Sequence, residues 1–429
     1  MKSLILWLSL FAAVFAFFQY QQSPKIAPEQ LLQASAPQDR AAVAGLDGLS
    51  YLNFLRETAG LQSLAHSTIL EQSARNHALY LTENPDDGHD EHNRASRYFT
   101  GNRPSERARR VGYLYDGVHE NVSTSSRFQD ADRAAEFAVH QQLDGLMTAI
   151  YHRFSLLEQS INEAGVAYES GRNHTALVVN QGHKGFNRLC GLGRLKAEPN
   201  RHYYKQSCHN GAVVYVDEVQ NRRELLYTVY PMGHFAMPDF QGERPDPMPG
   251  HEFTGNPVSI AFSEQAGRVE MRSFKLYQGE QEITHKRVLT QHNDPNRQFS
   301  ARQFALFPVR PLEYDTLYRA VFEFERKGKP ERAEWTFRTK KPDYPYFIVE
   351  GGEKLSLQSG EKYFIHWRNR WCLKTCPQLV YQQRGGAKLE VLERQIGGVL
   401  VRVTGVAGGD VRLMFEGEKE KALALYLAS

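Results

Sequence analysis

The sequence has little cysteine, no excess of one charge, and no apolar run long enough to cross a bilayer. Its four cysteines fall into two local pairs, Cys190 with Cys208 and Cys372 with Cys376. The pairs lie in different regions, which argues against a single four-cysteine zinc site. Two local disulfides, formed in an oxidising compartment, are the plain reading. The 52 basic and 49 acidic residues leave a net charge of +3. A dedicated nucleic-acid binder normally concentrates basic residues on one face, so no nucleic-acid partner is expected. The densest basic stretch, "RPSERARR" at 103–110, is interrupted by an acid and reads as a solvated helix face. The longest apolar run, Leu4–Phe18, follows Lys2 and precedes polar "QYQQSPK". It is short for a membrane span and right for a signal-peptide core. A cleaved signal at 1–18 is expected, with an uncleaved anchor as the alternative; either exports the chain. Also missing are "HExxH", "GxSxG", a phosphate-binding glycine loop and a cysteine nucleophile with a base. "GLGRLKAE" at 191–198 is too short a glycine pattern for nucleotide binding. There is no heptad run, tandem repeat or low-complexity tract.

What remains is ordinary globular material, 41% hydrophobic and 24% charged, in 429 residues. That length predicts two or three domains. Residues 19–45, rich in Gln, Ala and Pro, read as a linker. Helical spacing starts with Leu49, Leu52 and Leu55 and stops at Gly60. "TILE" at 68–71 matches a capping box with Thr68 as the cap, and Leu70, Ala74, His77 and Leu81 then share a face. His77 on that buried stripe reads as a satisfied helix histidine. A longer helix is expected from about Ala131 to Tyr151, with Ala134, Ala138, Leu146 and Ile150 inward. After His152 the period becomes alternating, and "AGVAYES" and "TALVVNQG" read as strands. Helices followed by strands make an α+β domain. A short β-rich extension follows from about 185, bracketed by Cys190 and Cys208. The stretch 237–250, "MPDFQGERPDPMPG", cannot hold a helix and marks a boundary. Beyond it "PVSIAF", "YRAVFEF" and "WTFRT" alternate in the manner of a β-sandwich.

An ordered set of landmarks runs through 46–185: "YLNFLRETAGLQSL", "LEQSARNHALYL", "GHDE", "YFTGNRPSERARRVGY", "HENVS" and "LMTAIYHRFSLLEQSINEAGVAYE". In this order they resemble the CAP superfamily (cysteine-rich secretory, antigen 5, pathogenesis-related; SCP-like), in its cysteine-poor bacterial form. The resemblance implies an α-β-α sandwich with a surface cleft. It also implies a cleft lined by two histidines and one or two glutamates able to hold a divalent metal. Matched by motif, these are His89 of "GHDE", Glu120 of "HEN" and His152 of "YHR". Two imidazoles and one carboxylate suit zinc with an open position for water; without metal they suit a base and an orienter. Each has a plainer reading. Glu120 would be a solvated loop carboxylate, and His152 a cap at the C-terminal end of its helix. His92 competes with His89 as the cleft histidine. Asn121 with Ser123 forms a glycosylation sequon, although in this context Asn121 is expected to tie down the loop backbone. His119 should point away from Glu120 if the segment is extended. The second cleft glutamate of many members has no counterpart in a matching motif; the interval offers only Glu136 and Asp144.

Residues 251–340, through "FALFPVRPLEYDTLYRAVFEFERKG" and "AEWTFRT", resemble a bacterial Ig-like domain, which implies spacing or adhesion at a cell surface. The expected organisation is therefore a CAP domain at 46–230 including the extension, a Pro-rich linker at 237–250, an Ig-like sandwich at 251–340 and a C-terminal β domain at 345–429. The leading functional expectation is an exported protein, secreted, periplasmic or surface-held, whose cleft binds a metal, lipid or peptide ligand without turnover. The alternatives are a metal-assisted hydrolase of peptide or envelope polymer, with His89, Glu120 and His152 activating water, and a structural adhesin with a vestigial cleft.

Overall fold

The computed structural model describes residues 31–126, 135–219, 225–240, 242–251, 254–368, 370, 377–395 and 397–428. The expected signal segment and the Cys372–Cys376 pair lie outside the described residues. Among the described residues no helix is long and apolar enough to cross a membrane. The chain forms two compact units, one of residues 39–341 and one of 31–38 with 342–429.

The larger unit begins with α1 (Gly48–Thr58), capped by Asp47, whose carboxylate accepts from Ser50 N–H at 2.8 Å. Its Leu52 and Leu55 are buried, and Gly60 ends it at φ +80°. After the two-residue strand β1 (Ala65–His66) comes α2 (Thr68–Glu83). The cap is Ser67, one residue before the expected Thr68, with its hydroxyl 3.4 Å from Leu70 N. The helix thus starts one residue earlier than expected, directly where the sheet ends: Ser67 N–H still donates to Ala164 O at 2.9 Å, and Thr68 is already helical. Glu71 accordingly turns to His66 and Arg75 instead of reaching back to a cap. Leu70, Ala74, His77 and Leu81 form the fully buried face that their spacing predicts.

Next come α3 (Pro104–Arg110), strand β2 (His119–Ser126), α4 (Ala135–Thr148), α5 (Ile150–Leu156), β3 (Glu163–Ser170), β4 (His174–Gly182) and α6 (Lys184–Cys190). The sheet order is β1-β3-β4-β2, which leaves β2 on the outside. Strand β4 is apolar on both faces. Leu177 and Val179 pack with α1, α4 and α5, while Ala176 and Val178 pack with α2. Helices on both sides of one sheet make the expected α-β-α sandwich.

The helix expected over 131–151 is instead two. Helix α4 ends at Thr148, Ala149 is extended, and α5 starts at Ile150. Residues 131–134 of the expected span lie outside the described residues. His152 therefore sits in the first turn of a short helix and does not cap the end of a long one, and helix, not strand, continues to Leu156. The extension after 185 is also less β-rich than expected. It holds α6 and two paired two-residue strands, β5 (Tyr203–Tyr204) and β6 (Val214–Tyr215). The Cys190–Cys208 disulfide staples it.

The same unit continues into a β-sandwich. One sheet orders β11 (Gln281–Glu282), β10 (Val269–Gln278), β14 (Leu317–Arg326), β15 (Lys329–Thr339) and β8 (Gly233–Ala236). The other orders β12 (His285–Leu289), β13 (Gln303–Pro308), β9 (Val258–Phe262) and β7 (Tyr227–Tyr230). Inward Ile260, Phe262, Phe322, Phe324 and Phe337 fill the space between them. Two packed antiparallel-rich sheets are consistent with an Ig-like domain. The Pro-rich stretch before it is not a free spacer: Phe240 and Met248 pack with Ile150 of α5.

The second unit is another two-sheet β structure, ordered β16-β18-β21-β20 and β17-β23-β22-β19, where β16 is Tyr346–Val349, β17 Lys354–Leu357, β18 Lys362–Trp367, β19 Leu379–Arg384, β20 Lys388–Gln395, β21 Gly398–Thr404, β22 Asp410–Phe415 and β23 Leu423–Leu427. Leu32 and Ser35 bridge to Leu355 and Tyr346, so part of the expected N-terminal linker belongs to this unit.

One glycine sets the spacing of α2 on the sheet. A Cβ at Gly165 of β3 would lie 1.9 Å from Glu71 N, a backbone atom that cannot step aside. Gly165→Ala should therefore cost about 2–3 kcal/mol or prevent folding. Urea denaturation of the full chain measures it, and a midpoint equal to the parent's would contradict this packing.

A candidate ligand-binding cleft

Alternation along β2 sends neighbouring side chains to opposite layers. Glu120 faces α2, and Asn121 faces α5. Glu120 is held there by Arg107, whose Nη2 donates to both carboxylate oxygens at 2.8 and 2.9 Å. Both side chains are almost wholly buried, at 0% and 1% exposed. Burial by itself raises the pKa of Glu120, but His77, a hydrogen bond from His89 and the Arg107 charge outweigh it and hold the carboxylate at about 2. His89 Nδ1 lies 3.2 Å from Glu120 Oε1. An ionised carboxylate only accepts, so Nδ1 carries the proton of this bond.

His152 is fixed from the other layer. Its Nδ1 lies 3.1 Å from Asn121 Oδ1. Asn121 Nδ2 donates to Ser155 Oγ at 3.1 Å and Gln181 Oε1 at 3.0 Å, which leaves Oδ1 as the acceptor for His152. Asn121 is fully buried, so it serves as a structural tie. Burial lowers the pKa of His152 to about 4, with His89 adding to the shift. The two imidazole rings stand 5.9 Å apart around the edge of β2. In the neutral form each offers a bare Nε2 lone pair.

Helix α5, which carries His152, is tied at three consecutive residues to the chain beyond 240. Glu243 Oε1 accepts from Tyr151 N at 2.9 Å and His152 N at 3.0 Å. Tyr151 OH bonds Asp294 and accepts from Asn296 Nδ2 at 2.9 Å. Arg153 is completely buried. Its guanidinium donates to Pro257 O and Asn256 Oδ1, each at 2.6 Å, and to Ser259 Oγ at 3.1 Å. It also lies over the Tyr230 ring at 4.7 Å. Burial brings the pKa of Arg153 down to about 10, so it stays charged at neutral pH.

His89, Glu120 and His152 thus converge, yet not as three equivalent ligands. Among the described residues no group of three or more His, Cys, Asp or Glu side chains is arranged to hold a metal. The expected zinc set does not fit as arranged, because Glu120 is committed to Arg107 and only the two imidazoles face outward. Asp144 accepts from Tyr51 OH at 2.7 Å within the core and supplies no fourth group. The side chain of Glu136 lies outside the described residues. His77 is the satisfied core histidine expected, 3.1 Å from Glu91 and 2.9 Å from Gly88 O. Sequence reasoning missed four residues: Glu91, Arg107, Arg153 and Glu243. Arg107 sat in a stretch read as solvated. Glu91 belongs to "GHDE" itself and accepts from Thr100 N at 2.6 Å, fixing the turn that presents His89.

The cleft has a volume of about 480 Å³ and is lined by Ser123, Thr124 and Ser125 of β2, His89, His152 and Glu243, with Leu146 and Ala149 from α4 and the α4–α5 junction. A larger hollow of about 520 Å³ lies elsewhere in the unit. It holds His119, turned away from Glu120 as alternation requires, and none of the three expected site residues. The ring of His119 keeps some contact with solvent, but the walls crowd it and lower its pKa.

Burial pushes Glu243 up to about 7, against a usual 4.5; backbone N–H donors and Arg153 temper the rise. Its Oε2 is buried without a partner among the described residues. Between those two values the folded state binds more protons than the unfolded one. The contribution of this group is therefore full below about pH 4.5 and is lost as pH rises through about 7. Glu243→Gln removes the titration and keeps an acceptor for the two N–H groups. The melting temperature of the variant relative to the parent should rise from about pH 5 to about pH 8. A difference that stays flat with pH would contradict the raised carboxyl.

The family model for the cysteine-rich secretory protein family, CAP, matches residues 49–181. No curated protein matches the chain. Among solved structures, the chain is similar to an extracellular protein with an SCP domain from Bacillus anthracis, at 17% identity over 31% of this chain and 38% of that one, with a TM-score of 0.24. An outer surface protein of Borrelia burgdorferi is 18% identical over 32% of this chain and 88% of that one, with a TM-score of 0.24. The CAP domain of enterococcal PrgA is 19% identical over 38% and 63%, again at 0.24. This chain thus spans well under half of the Bacillus protein and just under two thirds of the PrgA domain structure. Residues 49–181, with the α-β-α sandwich they build, are a CAP domain of the cysteine-rich secretory protein family.

Proposed function

We propose that this protein is exported and that its cleft binds a polar, hydrogen-bonding ligand of the envelope or the extracellular space without chemical turnover. One observation carries the reading: two imidazoles, each fixed through Nδ1 by a buried partner, turn their Nε2 atoms to an open groove. A bare Nε2 accepts from an N–H or O–H donor. The serine- and threonine-rich lining favours a peptide or polymer over an acyl chain. The Cys190–Cys208 disulfide supports export. Binding is favoured over hydrolysis because the carboxylate a water-activating site would use is saturated by Arg107. A divalent ion would meet the two imidazole nitrogens without Glu120, which is committed to Arg107, so zinc retention is expected to be weak. The sandwich then serves to hold the cleft as well as to space it.

A pool of random octapeptides, incubated with the full chain and recovered by ultrafiltration, tests this directly. The parent should retain peptide. His89→Ala combined with His152→Ala removes two acceptors worth about 1 kcal/mol each, and should weaken retention roughly tenfold to thirtyfold. Co-sedimentation with phosphatidylglycerol vesicles, together with no peptide retention, would contradict the proposal.

A further inference from the structure

The groove has an unusual floor. Strand β2 pairs with β4 along its whole length, from His119–Gln181 to Ser126–His174. No strand among the described residues pairs with its other side. An outer strand presents a row of backbone N–H and C=O groups with no sheet partner. Here that row does not lie on a convex rim. Val122, Thr124 and Ser125 line the groove together with the turn at Pro85–His89 on one side and Gly145, Leu146 and Ala149 on the other. The turn is tied to the strand through Thr124 Oγ1, which donates to Pro85 O at 3.3 Å. The edge is therefore recessed between walls. Another folded sheet cannot reach a recessed edge, but a single extended chain can.

We infer that the ligand is an extended polypeptide that enters this groove as an added strand on the outer edge of β2, with its backbone read by Val122–Ser125 and its end or a flanking amide read by His89 and His152. The inference rests on the binding role proposed above and specifies the ligand class. Three observations support it. The open edge over Val122–Ser125 extends about 13 Å at 3.3 Å per residue, enough for a tetrapeptide. The small side chains of Ser123, Ser125 and Gly145 leave room for the incoming residues. The bare imidazole nitrogens accept N–H groups, which an extended chain supplies and a lipid tail does not. Strand addition draws affinity from main-chain hydrogen bonds and selectivity from alternate side chains. Selectivity for sequence should accordingly be low here, since much of the lining, Ser123, Thr124, Ser125, Gly145 and Ala149, is small or polar.

N-methylation separates the cases. The probe is the octapeptide amide (Thr-Val)₄, in three forms: unmodified, with four N-methyl groups on alternate residues, and with four on two consecutive pairs. Alternate methylation spoils one edge of a strand and leaves the other intact; paired methylation interrupts both, at equal mass and apolarity. Binding to the full chain is read by calorimetry, and amide exchange of β2 by hydrogen–deuterium mass spectrometry. The alternate form should bind within about threefold of the parent peptide, while the paired form should lose at least about tenfold, the effect of one or two lost hydrogen bonds. Peptide binding should slow exchange over 122–125. Equal binding by both methylated forms overturns the inference, as does protection of 122–125 that depends on protein concentration alone, which would mark a second copy as the occupant. If the random pool is retained through the histidines but (Thr-Val)₄ is not, the strand-addition inference fails and the binding role stands. If neither binds, the binding role itself fails.

Discussion

The buried guanidinium of Arg153 is the constraint on which the cleft depends. A cation with no accessible surface is tolerable only when its hydrogen-bonding positions are filled. Here the acceptors are Met147 O on one side and Pro257 O, Asn256 and Ser259 on the other. Among the described residues no carboxylate pairs with it, so the attachment is one of geometry: the guanidinium reaches these oxygens only when α5 sits in one place. Tyr151 and His152 add two further ties through Asp294, Asn296 and Glu243. Since His152 stands between these anchors, the position of its ring is set by residues roughly a hundred places further along the chain. The sandwich is thereby part of the cleft and not merely attached to the domain that carries it.

The opposite wall uses a buried ion pair for the same purpose. A buried pair contributes little net stability, because desolvation of both ions offsets their attraction. Breaking it is costly, and that makes it a good locator. Arg107 and Glu120 fix each other, and Arg107 Nη2 also donates to His89 O at 2.8 Å, so backbone and ring of His89 are both held. Glu120 acts through His89. His89 and Glu120 on one layer, and His152 and Asn121 on the other, are parallel arrangements: a buried acceptor sets the tautomer, and the outer nitrogen is left for a ligand.

Much of the scaffold was legible in the sequence. The spacing of Leu70, Ala74, His77 and Leu81 marked α2, and "TALVVNQG" marked a strand, though not that helices cover both its faces. The closeness of Cys190 and Cys208 marked their bridge. His89, Glu120 and His152 were found through motif order, not periodicity, and they do come together. What failed was decided by distant partners. The break at Ala149 is capped by a carboxylate 92 residues away from Tyr151, and no local pattern announces it. Arg107 looked solvated because charge patterning reports an arginine but not the buried glutamate it will meet. The cap lies at Ser67 and not Thr68 because the last bond of this strand to β3, from Ser67 N–H to Ala164 O, places the strand-to-helix change there.

The claim that the sandwich positions His152 is tested most directly by the titration of that one ring. Nitrogen-15 shifts of the His152 imidazole, followed with pH in the full chain and in Asn256→Ala, provide the measurement. The account predicts a Nδ1-protonated neutral ring in the parent, titrating near the value of about 4 set by burial. In the variant, Arg153 loses an acceptor 103 residues away in sequence. The anchor loosens, water reaches α5, and the His152 titration should move toward the ordinary value of about 6.5. A variant that stays folded and leaves His152 titrating where the parent does would show that the CAP domain positions its histidine unaided.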